Sequence, residues 1–253
     1  MQKIFELEFI YNSSWKNLIF TGGSCLRFCY DLNRLSEDLD FDFFKKNFSQ
    51  RPETEKLSSA LAGFFKTNYN FRNLDISKKK ERIYLKFPVL QKLGLASLQE
   101  SNKLYLKIEF PRKPSLSGKI VFHTITRRQF VILLKAYDLS SLMAGKINAI
   151  LKRVWFKGKG DVIDIKGRDF FDLIWFLERS VLPNWKRIDK DLGIKTTSSL
   201  FFRLEEKIKK MVTPQKLEYD LINLIENQKF VKNFCQNYFK IFTNYKNIYL
   251  KKY

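Results

Sequence analysis

The chain has 253 residues, enough for one large domain or two modest ones, and its 45% hydrophobic and 16% aromatic content excludes a disordered chain. Lys and Arg number 47 against 26 Asp and Glu, a formal net charge of +21. A field of that sign draws polyanions, nucleic acid ahead of an anionic membrane surface. A single histidine, His123, nearly excludes a Ser-His-Asp triad and a multi-histidine metal site, and three cysteines, Cys25, Cys29 and Cys235, odd in number and without metal-ligand spacing, argue against a disulfide framework or structural zinc.

The opening MQKIFELEFIYNSS carries acids inside its short apolar stretch, which predicts no signal peptide. Apolar runs such as Phe130 to Leu134 are too short to cross a bilayer, so the expectation is a cytoplasmic protein with no membrane partner. Trp15 to Phe20 leads into Thr21-Gly22-Gly23-Ser24, followed by a short helix over Cys25 to Asp31. Asp38 to Phe43 alternates strictly, with Leu39, Phe41 and Phe43 on one face and Asp38, Asp40 and Asp42 on the other; that is a strand. Glu53 to Asn68 has the apolar spacing of an amphipathic helix. Arg82 to Phe87 and Lys103 to Phe110 alternate and should pair across a turn at Gln99 to Asn102. Further strands are predicted near Lys119 to Thr124 and Phe130 to Lys135.

From there the chain turns helical. Asp138 is placed to cap a helix over Leu139 to Arg153, a second helix runs from Arg168 to Arg179, and Thr213-Pro214 opens another. The expected fold class is α+β: a small mixed-sheet domain over residues 1–137, then a helical domain over 138–253 that completes an active-site cleft.

Chemistry concentrates after the glycines. Gly22 and Gly23 let the backbone turn tightly and bring N–H groups to an anion, and Ser24 can add a hydroxyl. Asp38 and Asp40, two apart on a strand, project from one face toward shared cations, and carboxylates suit Mg²⁺, which keeps water and phosphate oxygens as its other ligands. Lys146 falls inside the apolar arc 139, 142, 143, 147 and 150 of its helix, so it needs an anionic partner or a route to water. Asp169 sits on a helix apolar almost all round and must either cap its start or be paired; Asp172, one turn on, is the alternative acid. Glu109 shares a strand face with Tyr105 and Lys107. Its local reading is an ion-pair partner of Lys107. Arg27 and Arg34 can steady phosphate or sit on the surface.

Gly22-Gly23-Ser24-x-Leu26-Arg27, then Arg34-x-Ser36-x-Asp38-x-Asp40-Phe41, resembles the DNA polymerase β-like nucleotidyltransferases, and within them the AbiEii/AbiGii toxins. The stretch Tyr137 to Ile150, with Lys146, is similar to that family's lysine motif, and Lys166-Gly167-Arg168-Asp169-Phe170-Phe171-Asp172-Leu173 to its Arg-Asp motif. The resemblance spans residues 20 to about 178 in matching order; 179–253 carry no matching motif. It implies a Mg²⁺-dependent enzyme moving a nucleoside monophosphate from a nucleoside triphosphate to the 3′ end of tRNA. Such an enzyme is the toxin of a toxin–antitoxin or phage-defence system, neutralised by a separate antitoxin. Asp38, Asp40, Lys146 and Asp169 would be catalytic, with Glu109 as third acid, and Gly22, Gly23, Ser24, Arg27, Arg34 and Ser36 would lie against substrate. A non-catalytic RNA-binding protein on the same fold and a small-molecule nucleotidyltransferase are the competing readings.

Overall fold

Alternating apolar and polar residues build the first half of the chain into one sheet. The computed structural model describes residues 3–43, 53–111, 114–115, 117–127, 129–156 and 163–253. The described elements divide into two compact units, one of Met1–Asp31, Ser36–Leu116 and Ile120–Tyr137, the other of Leu32–Leu35, Ser117–Lys119 and Asp138–Tyr253.

Among the described residues the first unit holds seven strands: β1 (Ile19–Thr21), β2 (Asp38–Asp42), β3 (Asp75–Lys79), β4 (Arg82–Pro88), β5 (Lys103–Glu109), β6 (Ile120–Arg127) and β7 (Phe130–Tyr137). Their order across the sheet is β3-β4-β5-β2-β1-β7-β6. β1 and β7 pair in parallel, as do β2 and β5, and the remaining neighbours are antiparallel, so the sheet is mixed. The expected pairing of β4 with β5 is present, with Ile83 opposite Ile108 and Leu85 opposite Leu106.

One face of the sheet is apolar because every second residue is: Phe20, Leu39, Phe41, Ile83, Leu85, Leu106, Ile108 and Leu134 are buried there. Three helices cover that face: α1 (Lys3–Tyr11), α2 (Gly22–Tyr30) and α3 (Thr54–Tyr69). Their rings meet those of the strands, Phe65 against Phe87 at 5.1 Å, Phe5 against Phe130 at 5.3 Å and Tyr30 against His123 at 4.7 Å. The alternate residues point the other way, and on β6 and β7 they include the exposed apolar side chains Phe122, Val131 and Leu133. Alternation alone did not announce α1 or β3. The sequence of β3, DISKK, holds one apolar residue and is a strand because β4 supplies its partner groups.

The second unit is helical: α4 (Leu139–Lys152), α5 (Gly167–Glu178), α6 (Trp185–Leu192), α7 (Thr197–Met211), α8 (Pro214–Leu221) and α9 (Gln228–Lys252). Asp138 caps α4, accepting from the Ser141 N–H at 2.9 Å, and Thr213 caps α8 ahead of its N-terminal Pro214, both as the sequence suggests. α5 is buried along almost its whole length, Gly167 and Asp169 through Leu177, and lies against α4, α8 and α9. Its first residue, Gly167, meets α8 so closely that a Cβ there would lie 2.7 Å from the Leu217 carbonyl oxygen. The next, Arg168, is held by Asp220 of α8 through its amide at 2.9 Å and its guanidinium at 3.0 Å.

Candidate active site

β1 ends at Thr21, opposite Asp40 of β2, and α2 begins at once with Gly22. The backbone at Gly22 is left-handed, φ +72°, and a Cβ there would lie 2.1 Å from Asp40 Oδ2. Only glycine meets both conditions, so this residue is set by the carboxylate beside it as much as by the turn. The helix therefore starts on the glycines themselves rather than at Cys25, and Thr21, its N-cap, gives the first amides no side-chain bond.

Ser24 is fully buried, and its hydroxyl is engaged within the fold: it donates to the Asp38 carbonyl and accepts from Lys3 Nζ at 3.1 Å. Lys3 also donates to the Ser36 carbonyl. One ammonium thus ties α1, the glycine motif and the entry to β2. Burial pushes Lys3 down to about 8, against the raising influence of Asp38 and Asp40. Arg27, in the last turn of α2, adds a lowering influence of its own.

Asp38 and Asp40 lie on the face of β2 opposite Leu39 and Phe41, partly open to solvent. The third acid of that strand, Asp42, does different work. It is buried, accepts from Tyr137 Oη at 2.7 Å and from the Ser115 and Phe43 amides at 3.0 and 2.8 Å, and holds strands together.

Register puts Lys107 beside Asp38 and Glu109 beside Asp40. Lys107 Nζ bridges Asp38 Oδ2 at 3.0 Å and Glu109 Oε2 at 2.9 Å, and Arg82 reaches the other oxygen of Glu109 at 2.8 Å. Partial burial pushes the Glu109 carboxyl up, but its ion pairs with Lys107 and Arg82 outweigh that and hold it below its ordinary value. Burial likewise lowers Lys107, and Glu109 and Asp38 more than restore it. Among the described residues no three Asp, Glu, His or Cys groups converge as a metal cage. Asp38 and Asp40 form a two-carboxylate set, which suits Mg²⁺ because that ion takes its remaining ligands from water and phosphate.

The second unit carries its own charged cluster. Lys146 Nζ sits between Asp169 Oδ1 and Asp172 Oδ2, 2.7 Å from each. Asp172 also receives Arg34 Nε at 2.6 Å and Nη2 at 2.7 Å, with both side chains fully buried, and Asp169 receives Arg153. Burial lowers Lys146 but the two carboxylates outweigh it; burial raises Asp169 but Lys146 and Arg153 outweigh that, so both stay charged. Lys146 is thus paired rather than extended to water, and Asp169 is an ion-pair partner, not a cap. The alternative acid, Asp172, is bound into the same cluster. Arg34 is buried in that cluster against Asp172, not on the surface.

In the first unit the structure brings together Gly22, Gly23, Ser24, Ser36, Asp38, Asp40 and Glu109; in the second it brings together Arg34, Lys146 and Asp169. Sequence reasoning missed Lys3 and Arg153. Lys3 gives no local signal, since what makes it part of the site is the docking of α1. Arg153 stands one turn beyond Ala149 at the C-cap of α4, where a cation is ordinary, so its link to Asp169 needs the three-dimensional fold.

The fold is similar to that in the crystal structure of JHP933 from Helicobacter pylori, with a TM-score of 0.51 and 19% identity over 99% of this chain and 92% of that one. A second H. pylori structure, described provisionally as a nucleotidyltransferase, has a TM-score of 0.49 and 19% identity over 100% of this chain and 96% of its own. Among curated proteins none matches the chain. The profile described as "Nucleotidyl transferase AbiEii toxin, Type IV TA system" matches residues 11–238, which takes in the glycine turn, the aspartate pair, Lys146 and Asp169. The chain belongs to the AbiEii family of nucleotidyl transferase toxins of type IV toxin–antitoxin systems.

Proposed function

We propose that this nucleotidyltransferase moves a nucleoside monophosphate from a nucleoside triphosphate to the 3′-terminal hydroxyl of an RNA, tRNA first among acceptors, with Mg²⁺ held by Asp38 and Asp40. The observation that carries the reading is the pair itself: two partly open carboxylates on one strand face, beside a glycine that both the left-handed turn and the Asp40 carboxylate require. When bound there, Mg²⁺ supplies charge stabilisation to phosphate oxygens. The residues of the chain do the rest. Gly22 lets the backbone pass against Asp40, and Lys3 fixes Ser24 and Ser36 so that the entry to β2 holds its place. Glu109, kept ionised by Lys107 and Arg82, is in the form that accepts a proton from an acceptor hydroxyl. Asp169 and Asp172 hold Lys146 in place and charged. The net charge of +21 supports a polyanionic acceptor over a small molecule. The family's toxin–antitoxin assignment supports a cognate antitoxin as partner.

The test is incubation with each labelled nucleoside triphosphate, Mg²⁺ and total RNA, followed by location of the label. Label is expected at RNA 3′ ends, and Asp38→Ala is expected to lose at least about 10²–10³-fold in rate. Near wild-type incorporation by that variant would sink the mechanism.

A further inference from the structure

On β3, β4 and β5 the sheet face opposite the helices is set out by register. Asp75, Ser77 and Lys79 of β3 stand opposite Lys86, Tyr84 and Arg82 of β4. Those stand in turn opposite Tyr105, Lys107 and Glu109 of β5, with Pro88 opposite Lys103. Lys107 and Glu109 then abut Asp38 and Asp40 of β2. Two tyrosines therefore alternate with lysines, Tyr84 against Lys107 and Lys86 against Tyr105. The tyrosines are diagonal neighbours, about 7–8 Å apart. Tyr105 is 56% exposed, and Tyr84 is partly exposed. Five cations (Lys79, Arg82, Lys86, Lys103 and Lys107) share this part of the face with two acids, Asp75 and Glu109. Each acid is divided between two cations: Lys86 and Lys103 lie 3.0 and 3.2 Å from Asp75, and Arg82 and Lys107 lie 2.8 and 2.9 Å from Glu109.

We propose that this face is the seat of the acceptor: an unpaired RNA 3′ strand lies across β4 and β5, its bases stacked on Tyr105 and Tyr84. Its phosphates meet Lys86, Lys103 and Lys107. The inference rests on the acceptor reading given above. Aromatic rings on adjacent strands of an open sheet, with cations between them, are what single-stranded RNA requires, because each unstacked base offers a π-face and each linkage a negative charge. A duplex buries its base faces and would leave the tyrosines without a role. The direction is set as well. The row Tyr84–Lys107–Asp38 crosses two strand spacings of about 4.8 Å each, so a terminal hydroxyl beyond the stacked bases arrives at the aspartates.

The test separates binding from transfer. Fluorescence anisotropy, without nucleotide or Mg²⁺, compares a labelled single-stranded RNA of about ten nucleotides with a blunt duplex of the same length. Tyr105→Ala and Tyr84→Ala should each weaken the single strand about tenfold and leave the duplex unchanged, and Tyr105→Phe should bind as wild type, since the ring and not the hydroxyl stacks. Lys103→Ala should lower the salt slope by about one. Wild-type affinity in both tyrosine-to-alanine variants, or equal weakening of the duplex, overturns the proposal. If Tyr105 governs single-strand binding but RNA receives no nucleotide, the acceptor reading fails and the surface stands. If transfer proceeds and Tyr105→Ala leaves its acceptor KM untouched, the surface fails and the reading stands.

Discussion

Gly22 and Asp40 occupy one another's space: a methyl group on the first would fall 2.1 Å from a carboxylate oxygen of the second. Gly22→Ala therefore has two separable effects. The left-handed backbone costs about 1–2 kcal/mol with a side chain present, which urea unfolding should read. Asp40 must also move, and a displacement of about 1 Å at a reacting centre is enough for a 10²-fold loss of rate. Nucleotide transfer should therefore fall far more than stability does. A variant that unfolds earlier yet transfers at full rate would show that the contact serves the turn alone.

The buried cluster on α4 and α5 should rank its members by what each leaves behind. Asp172→Ala takes from Arg34, whose side chain has no exposure, its carboxylate partner, and should cost about 3–5 kcal/mol of stability. Asp169→Ala should cost less, because Lys146 keeps Asp172 and Arg153 is 36% exposed and can turn to water. Denaturant titration of the two variants gives the order directly. The reverse order would mean that Arg153, not Arg34, is the cation that depends on this cluster.

Glu6 lies wholly buried on α1, with no hydrogen-bond partner on another residue for either oxygen, and burial pushes its carboxyl up to about 8. A raised acid holds its proton more tightly folded than unfolded. Its stabilising contribution is complete below the ordinary value of 4.5 and is lost as pH rises toward about 8. The wild type should accordingly lose up to a few kcal/mol across that window, at about 1.36 kcal/mol for each pH unit over which only the folded chain keeps this proton. Lys3, lowered to about 8, acts in the other sense and only above that pH, where stability rises toward 10.5. Urea titrations of Glu6→Gln at pH 5 and pH 8 should show that the loss between them has gone. An unchanged slope would place the responsible group elsewhere.

How much could be read in advance differs by kind of signal. Strict alternation in DLDFDF located β2 and the faces of its acids, since a strand's period belongs to its own residues. The partners that define β3 lie on β4, and the docking that makes Lys3 part of the site belongs to α1 as a whole. Neither is written locally. Lys146 and Asp169 stood out as charges in apolar surroundings, which required partners; the family resemblance, not the local pattern, linked Asp169 to Lys146, and the further partners Asp172 and Arg153 did not follow. Arg34 is the clearest case. As a residue in sequence it was open to phosphate or to the surface, whereas the acid that holds it lies on α5, 138 residues away in sequence.

The string Lys166-Gly167-Arg168-Asp169 is half chemistry and half carpentry. Asp169 answers to Lys146, but Gly167 is small to admit the Leu217 carbonyl and Arg168 is basic to meet Asp220. Position 167 therefore answers to the backbone of α8 whatever side chain stands at 217, while positions 168 and 220 answer to each other through their charges. α8, whose own sequence bears no recognisable signature, is thus the silent partner of a motif that precedes it by some fifty residues.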